Sequence, residues 1–130
     1  MAAVTSRRVA TSILRRVLII DDNVELADNI AEILRIAGHA TQVAASAEEG
    51  FSKALENEPD VVVTDFRLPG INGAVFVKEF LVTRKHVRAM VVSAYTDDKT
   101  IEEATASGAE FMGKPLDYLR LSAWVGDAYA

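Results

Sequence analysis

Residues 61–73 read Val61-Val62-Val63-Thr64-Asp65-Phe66-Arg67-Leu68-Pro69-Gly70-Ile71-Asn72-Gly73. Three β-branched apolar residues stand in a row and end on a polar Thr64-Asp65 pair. An unbroken short apolar run of this kind predicts a strand buried on both faces of a parallel sheet. Pro69-Gly70 and Asn72-Gly73 are turn signals, so a loop over Phe66–Asn72 should separate the strand from the next element. That element is a predicted helix over about residues 74–84, with Val77, Phe80 and Leu81 on one side.

The same unit recurs on either side. Upstream, Val17-Leu18-Ile19-Ile20 is an apolar run that ends in Asp21-Asp22. Ala27, Ile30, Ala31, Leu34 and Ala37 then fall at helical spacing, and Gly38 stands at the stop position. Thr41–Ala44 is a weaker strand candidate. Ser46 with Glu49 three residues on reads as a capping box, opening a helix with Phe51, Ala54 and Leu55 inward and a stop before Pro59. Downstream, Ala89-Met90-Val91-Val92 ends at Ser93, and Thr96 or Asp97 can cap a helix carrying Ile101, Ala104 and Thr105 to its end at Gly108. Ala109–Gly113 is the last strand and leads into Lys114-Pro115. A final helix capped by Asp117 carries Leu121, Trp124, Val125 and Ala128 in an apolar stripe, which reads first as core packing. An exposed Trp124 could instead face a partner. Strict alternation of strand and helix predicts right-handed crossovers and a doubly wound α/β domain with a five-stranded parallel sheet.

Composition narrows the function classes. The chain has 130 residues, enough for one core, with half of them hydrophobic and a quarter charged. It has no cysteine, which removes disulfides and thiolate metal sites and suits a reducing cytoplasm. His39 and His86 are expected at the surface, without chemistry. No apolar run approaches the roughly 20 residues of a membrane span. Residues 1–16 hold Arg7, Arg8, Arg15 and Arg16 and no acid, so against a total of −5 the remainder carries −9. An acidic body argues against direct nucleic-acid binding. Residues 1–15 are expected to be a flexible basic extension, and residues 16–130 the domain.

In a sheet of this type, ligands sit outside the carboxyl ends of the strands. Those ends deliver Asp21 and Asp22, Asp65, Ser93 and Lys114. Clustered carboxylates repel one another unless a cation intervenes, and hard oxygen donors suit Mg²⁺. A carboxylate so placed can attack a phosphoryl group to form an acyl phosphate, while an ammonium and a hydroxyl bind the phosphoryl oxygens.

Ile20-Asp21-Asp22-Asn23, the stretch Val63–Gly73, Val92-Ser93-Ala94 and Gly113-Lys114-Pro115 together resemble the receiver domains of bacterial two-component response regulators, the single-domain chemotaxis regulator among them. The resemblance spans about residues 16–129, with each motif at the end of its own predicted strand. It implies a flavodoxin-like (βα)5 fold with strand order 2-1-3-4-5. It implies a signalling domain rather than an enzyme, with Asp65 phosphorylated from the phosphohistidine of a histidine kinase or phosphotransfer protein. Asp21, Asp22, Asp65 and the backbone carbonyl of Arg67 would bind Mg²⁺ or Mn²⁺. Ser93 would be the switch hydroxyl, Lys114 the phosphate-binding cation, and Lys114-Pro115 a cis peptide. The face of the fourth helix, fifth strand and fifth helix is expected to meet a downstream protein or a second copy of the chain. Phe111 stands where many relatives carry a switching aromatic, here without a hydroxyl. Arg67 and Tyr95, two residues past Asp65 and Ser93, are expected at the site's solvent side. There Tyr95 would crowd the attacking water, and Arg67 would pair with the phosphate or a neighbouring acid.

Two rival readings differ in chemistry. A haloacid-dehalogenase type phosphatase also uses a strand-end aspartate, but wants a second acid at the position of Arg67. An interaction module of the same fold would never be phosphorylated. A nucleotide binder is disfavoured, because no Gly-rich loop succeeds the first strand. A stand-alone domain acting through protein contacts is the expected organisation.

Overall fold

The computed structural model describes residues 13–127. Ala128 and residues 1–12 of the expected basic extension lie outside the described residues. The elements alternate strictly: β1 (Arg16–Ile20), α1 (Val24–Ile36), β2 (Ala40–Ala44), α2 (Ala47–Glu56), β3 (Val61–Asp65), α3 (Gly73–Thr83), β4 (Arg88–Ser93), α4 (Asp98–Ala106), β5 (Glu110–Gly113) and α5 (Tyr118–Val125). The strands form one parallel sheet in the order β2-β1-β3-β4-β5. This is the doubly wound architecture expected from the apolar runs.

Successive strand side chains point to opposite faces, so a fully apolar strand feeds two cores at once. On one face Leu18, Ile20, Val62 and Val91 pack with Ala47 and Ala54 of α2, Phe76, Val77 and Phe80 of α3, and Ala104 of α4. On the other, Val17, Ile19, Val61, Val63, Met90, Val92 and Met112 pack with Ala27, Ile30, Ala31 and Leu34 of α1 and with Leu121 and Val125 of α5. Among the described residues all five helices start with a side-chain cap: Asn23, Ser46, Asn72, Asp97 and Asp117 each accept a backbone N–H from three residues on. At α2 the reciprocal half of the box is displaced by one residue, because Glu49 accepts the N–H of Ala45 rather than that of Ser46.

Several residues stand elsewhere than expected. Leu55 is 75% exposed. At 100° per residue it stands roughly a quarter-turn away from the buried stripe of Ala47, Gly50 and Ala54. That stripe is narrow because Gly50 lets α2 approach β1, where an added Cβ would come within 2.7 Å of Ile20 Cδ1. Ala37 is the exposed C-cap of α1, and Thr105 is exposed on α4. His39, expected at the surface, is buried, and its Nδ1 accepts the Arg15 N–H at 2.9 Å.

Arg15 lies in the stretch expected to be a flexible extension, yet residues 13–15 are tied to the body. Ile13 N–H donates to the Gly126 carbonyl, and the Arg15 carbonyl accepts the Ala40 N–H. The Arg15 guanidinium donates to the carbonyls of Val125 and Asp127. Carbonyls at the end of a helix carry partial negative charge and favour a cation, which is why the chain docks there before β1 begins.

Candidate functional site

Strand register aligns the site. Ile20 is level with Thr64, which puts Asp21 beside Asp65; Asp65 is level with Val92, and Ser93 with Gly113. The ladder continues one step past the strands, with Lys114 N–H donating to the Ser93 carbonyl. Asp21, Asp65 and Lys114 continue the alternation that points Ile19, Val63 and Met112 to the α1/α5 side. Lys114 Nζ lies 3.2 Å from Asp65 Oδ1 and 3.6 Å from Asp21 Oδ2. Asp22 completes a cluster in which one oxygen from each of Asp21, Asp22 and Asp65 lies within 4.8 Å of the others.

The cluster is electrostatically loaded. Burial pushes the Asp21 carboxyl above its ordinary 3.8, and the charge of Asp22 adds to this, against the Asn23 N–H and Lys114. Burial likewise raises Asp65, helped by the charge of Asp21 and opposed by Lys114. Asp21 Oδ2 is buried without a hydrogen-bond donor. Hard carboxylate oxygens, mutually repelling and with one acceptor unmet, suit a small divalent cation.

Ser93 is buried at the end of the neighbouring strand and continues the opposite alternation, that of Ala89 and Val91. Its Oγ accepts the Tyr95 N–H at 2.9 Å. The Lys114-Pro115 bond is cis. Phe111 is half-buried against the α2–α4 core. Arg67 does not meet an acid: among the described residues its partner is the Tyr95 ring, whose centroid lies 4.3 Å from the guanidinium carbon. Trp124 is not a free surface anchor. Its Nε1 donates to Glu110 at 2.6 Å, and the Arg88 guanidinium covers its ring at 4.2 Å.

One further residue belongs to the site, and its sequence signal points only to a turn. Gly73 opens α3 directly against β3, where a Cβ would overlap the Asp65 carbonyl oxygen and crowd the Thr64 hydroxyl. Thr64 Oγ1 donates to that same carbonyl at 3.0 Å. The Asn72-Gly73 pair reads locally as a turn; its second role is to let a helix start in contact with the Asp65 backbone.

With the geometry of the acids, Lys114 and the helix start at Gly73 described, comparison with known proteins places the chain in a family. The model of the response regulator receiver domain matches residues 17–125, and the chain belongs to that family. A response regulator receiver protein of Anaeromyxobacter sp. (strain Fw109-5) is 37% identical over 95 residues, which is 73% of this chain and 40% of that protein. The sporulation initiation phosphotransferase F of Bacillus subtilis (strain 168) is 27% identical over 78% of this chain and 83% of its own. Among solved structures, a receiver domain protein from Clostridium thermocellum matches with a TM-score of 0.79 and 30% identity, covering 86% of this chain and 91% of its own. A chain of a CheX–CheY–BeF3–Mg²⁺ complex from Borrelia burgdorferi matches with a TM-score of 0.74 and 26% identity, over 82% of each chain. Among the described residues, no helix is long and apolar enough to cross a membrane.

Proposed function

We propose that Asp65 accepts a phosphoryl group from the phosphohistidine of a histidine kinase or phosphotransfer protein, in a reaction that requires Mg²⁺ or Mn²⁺. The observation that carries this reading is the Asp21, Asp22 and Asp65 cluster with Lys114 lying between two of its members. An Asp65 oxygen attacks phosphorus as the P–N bond to imidazole breaks. The imidazole leaves with its electron pair, and an acyl phosphate remains. Later attack by water on phosphorus releases inorganic phosphate and restores the carboxylate.

Asp21, Asp22, Asp65 and the Arg67 carbonyl are the groups that would hold the cation. When bound, it relieves the carboxylate repulsion and offsets charge on the transferring oxygens. Lys114 places its ammonium group 3.2 Å from Asp65, and the buried Ser93 hydroxyl supplies a donor for a phosphoryl oxygen. Tyr95, half exposed at the rim, restricts the approach of water to the acyl phosphate.

The phosphoryl group brings roughly two negative charges and three acceptor oxygens to one strand end. It biases an existing equilibrium by interacting differently with two conformations of the β4–α4 loop. Phe111, having no hydroxyl, transmits the change through packing alone. The output surface is the face of α4, β5 and α5, which is read by a downstream protein or a second copy of the chain. The known relative of Bacillus subtilis, a phosphotransferase by name, supports the phosphotransfer reading.

Incubation with acetyl phosphate and Mg²⁺, followed by intact mass, tests the proposal. One phosphate per chain is expected, absent in Asp65→Asn. No adduct on the wild type would mean an interaction module, and catalytic turnover of small phosphoesters a phosphatase.

A further inference from the structure

Arg67 and Tyr95 leave the ends of adjacent strands, β3 and β4, and meet across the rim of the acidic cluster. Both are exposed, Tyr95 to 50%. The contact therefore owes little to burial and rests on the guanidinium lying over the ring face. It joins two loops that nothing in the sheet ladder joins. The Tyr95 backbone N–H is also bound to the hydroxyl oxygen of Ser93. The side chain assigned to grip the phosphoryl group is thus held by the backbone of the residue in the stack.

We propose that the Arg67–Tyr95 stack is a latch. It holds the loop of residues 94–97 in its resting position and opposes the shift that carries Ser93 onto the phosphoryl group. The inference rests on Asp65 being the phosphoacceptor. Any contact present in the resting form and lost in the active form lowers apparent affinity for whatever selects the active form. Removing the latch should therefore tighten binding of a phosphoryl mimic, although neither side chain reaches the carboxylates.

The test is a titration of the full chain with beryllofluoride in Mg²⁺, followed by calorimetry, for the wild type and four variants. Tyr95→Ala and Arg67→Ala should each bind about two- to fivefold more tightly, the range for an exposed cation–π contact. The double variant should gain no more than either single one, because both remove the same contact. Tyr95→Phe keeps the ring and should behave as wild type. A merely structural contact would lower the thermal midpoint and leave affinity unchanged, which overturns the latch. Weaker binding in either alanine variant, or effects that add in the double variant, overturns it as well. A wild type that takes up neither beryllofluoride nor phosphate from acetyl phosphate rejects the Asp65 reading itself, and the latch with it.

Discussion

Asp65 sits where charge is expensive to keep. Its folded carboxyl is raised above the ordinary 3.8, first by burial and then by Asp21, so this group favours the folded state fully only below pH 3.8. That contribution is lost as pH rises through the raised value, and at neutral pH the ionised cluster weighs against folding. Asp65→Asn should therefore raise the thermal midpoint at pH 7 by about 2–8 °C, corresponding to roughly 1 kcal/mol of relieved repulsion. Asp21, 3.6 Å from Lys114 Nζ, remains to pair with that cation in the variant. Calorimetry at pH 7 and pH 4 checks this, since the advantage should shrink at the lower pH. A second expectation concerns Tyr95, whose ring is half exposed at the rim. Tyr95→Glu should hasten loss of the acyl phosphate by admitting water, measured as decay of the phosphorylated mass. An unchanged rate would remove Tyr95 from any role in phosphate lifetime.

At the scale of the element, the caps expected at Ser46, Asp97 and Asp117 are found, Asn23 and Asn72 cap as well, and the misplacement of Leu55 comes from rotation about a helix axis. Spacing alone puts Leu55 beside Phe51 and Ala54; the close approach of Gly50 to Ile20 decides how far α2 is turned, and that turn leaves Leu55 outside. On α3, spacing selects Val77, Phe80 and Leu81, yet Phe76 is fully buried as well. Phe76 is the centre of a three-ring cluster, 4.7 Å from Phe51 and 5.1 Å from Phe80 between centroids. It joins α2 to α3 within the core on that face of the sheet. Phe76→Ala should cost about 3–5 kcal/mol in chemical denaturation, the range for truncating a buried aromatic. A loss below about 1 kcal/mol would mean that Phe51 and Phe80 collapse into the space.

Across the whole molecule, the two edges of the sheet do different work. The carboxyl edge gathers the acids, Lys114 and the Arg67–Tyr95 stack. The amino edge is locked by Arg15 on the last carbonyls of α5, by Arg88 on the Trp124 carbonyl, and by His39 beneath the incoming chain. His39 must be neutral at Nδ1 to accept the Arg15 N–H. Burial, with Arg15 adding to it, lowers its pKa from 6.5. A depressed pKa gives stability that is full above pH 6.5 and lost as pH falls through the lowered value. His39→Asn, which keeps a neutral acceptor, should flatten the dependence of unfolding free energy on pH just below 6.5. An equal slope in both proteins would show that His39 does not titrate with folding.

Local sequence was enough for the alternation of strands and helices, the caps at Ser46, Asp97 and Asp117, and the residues gathered at the carboxyl edge. Each is a matter of short-range periodicity or of the residue at a strand end, and parallel register then brings strand ends together without further information. Packing between distant segments was needed for the burial of His39 by residues 13–15, the turn of α2 that exposes Leu55, and the helix start that Gly73 places against Asp65. It also turned Arg67 toward an aromatic ring rather than an acid. These features depend on distances between segments far apart in the chain, set by how closely helices approach the sheet and how loops cross its edge, and no pattern in neighbouring residues encodes them.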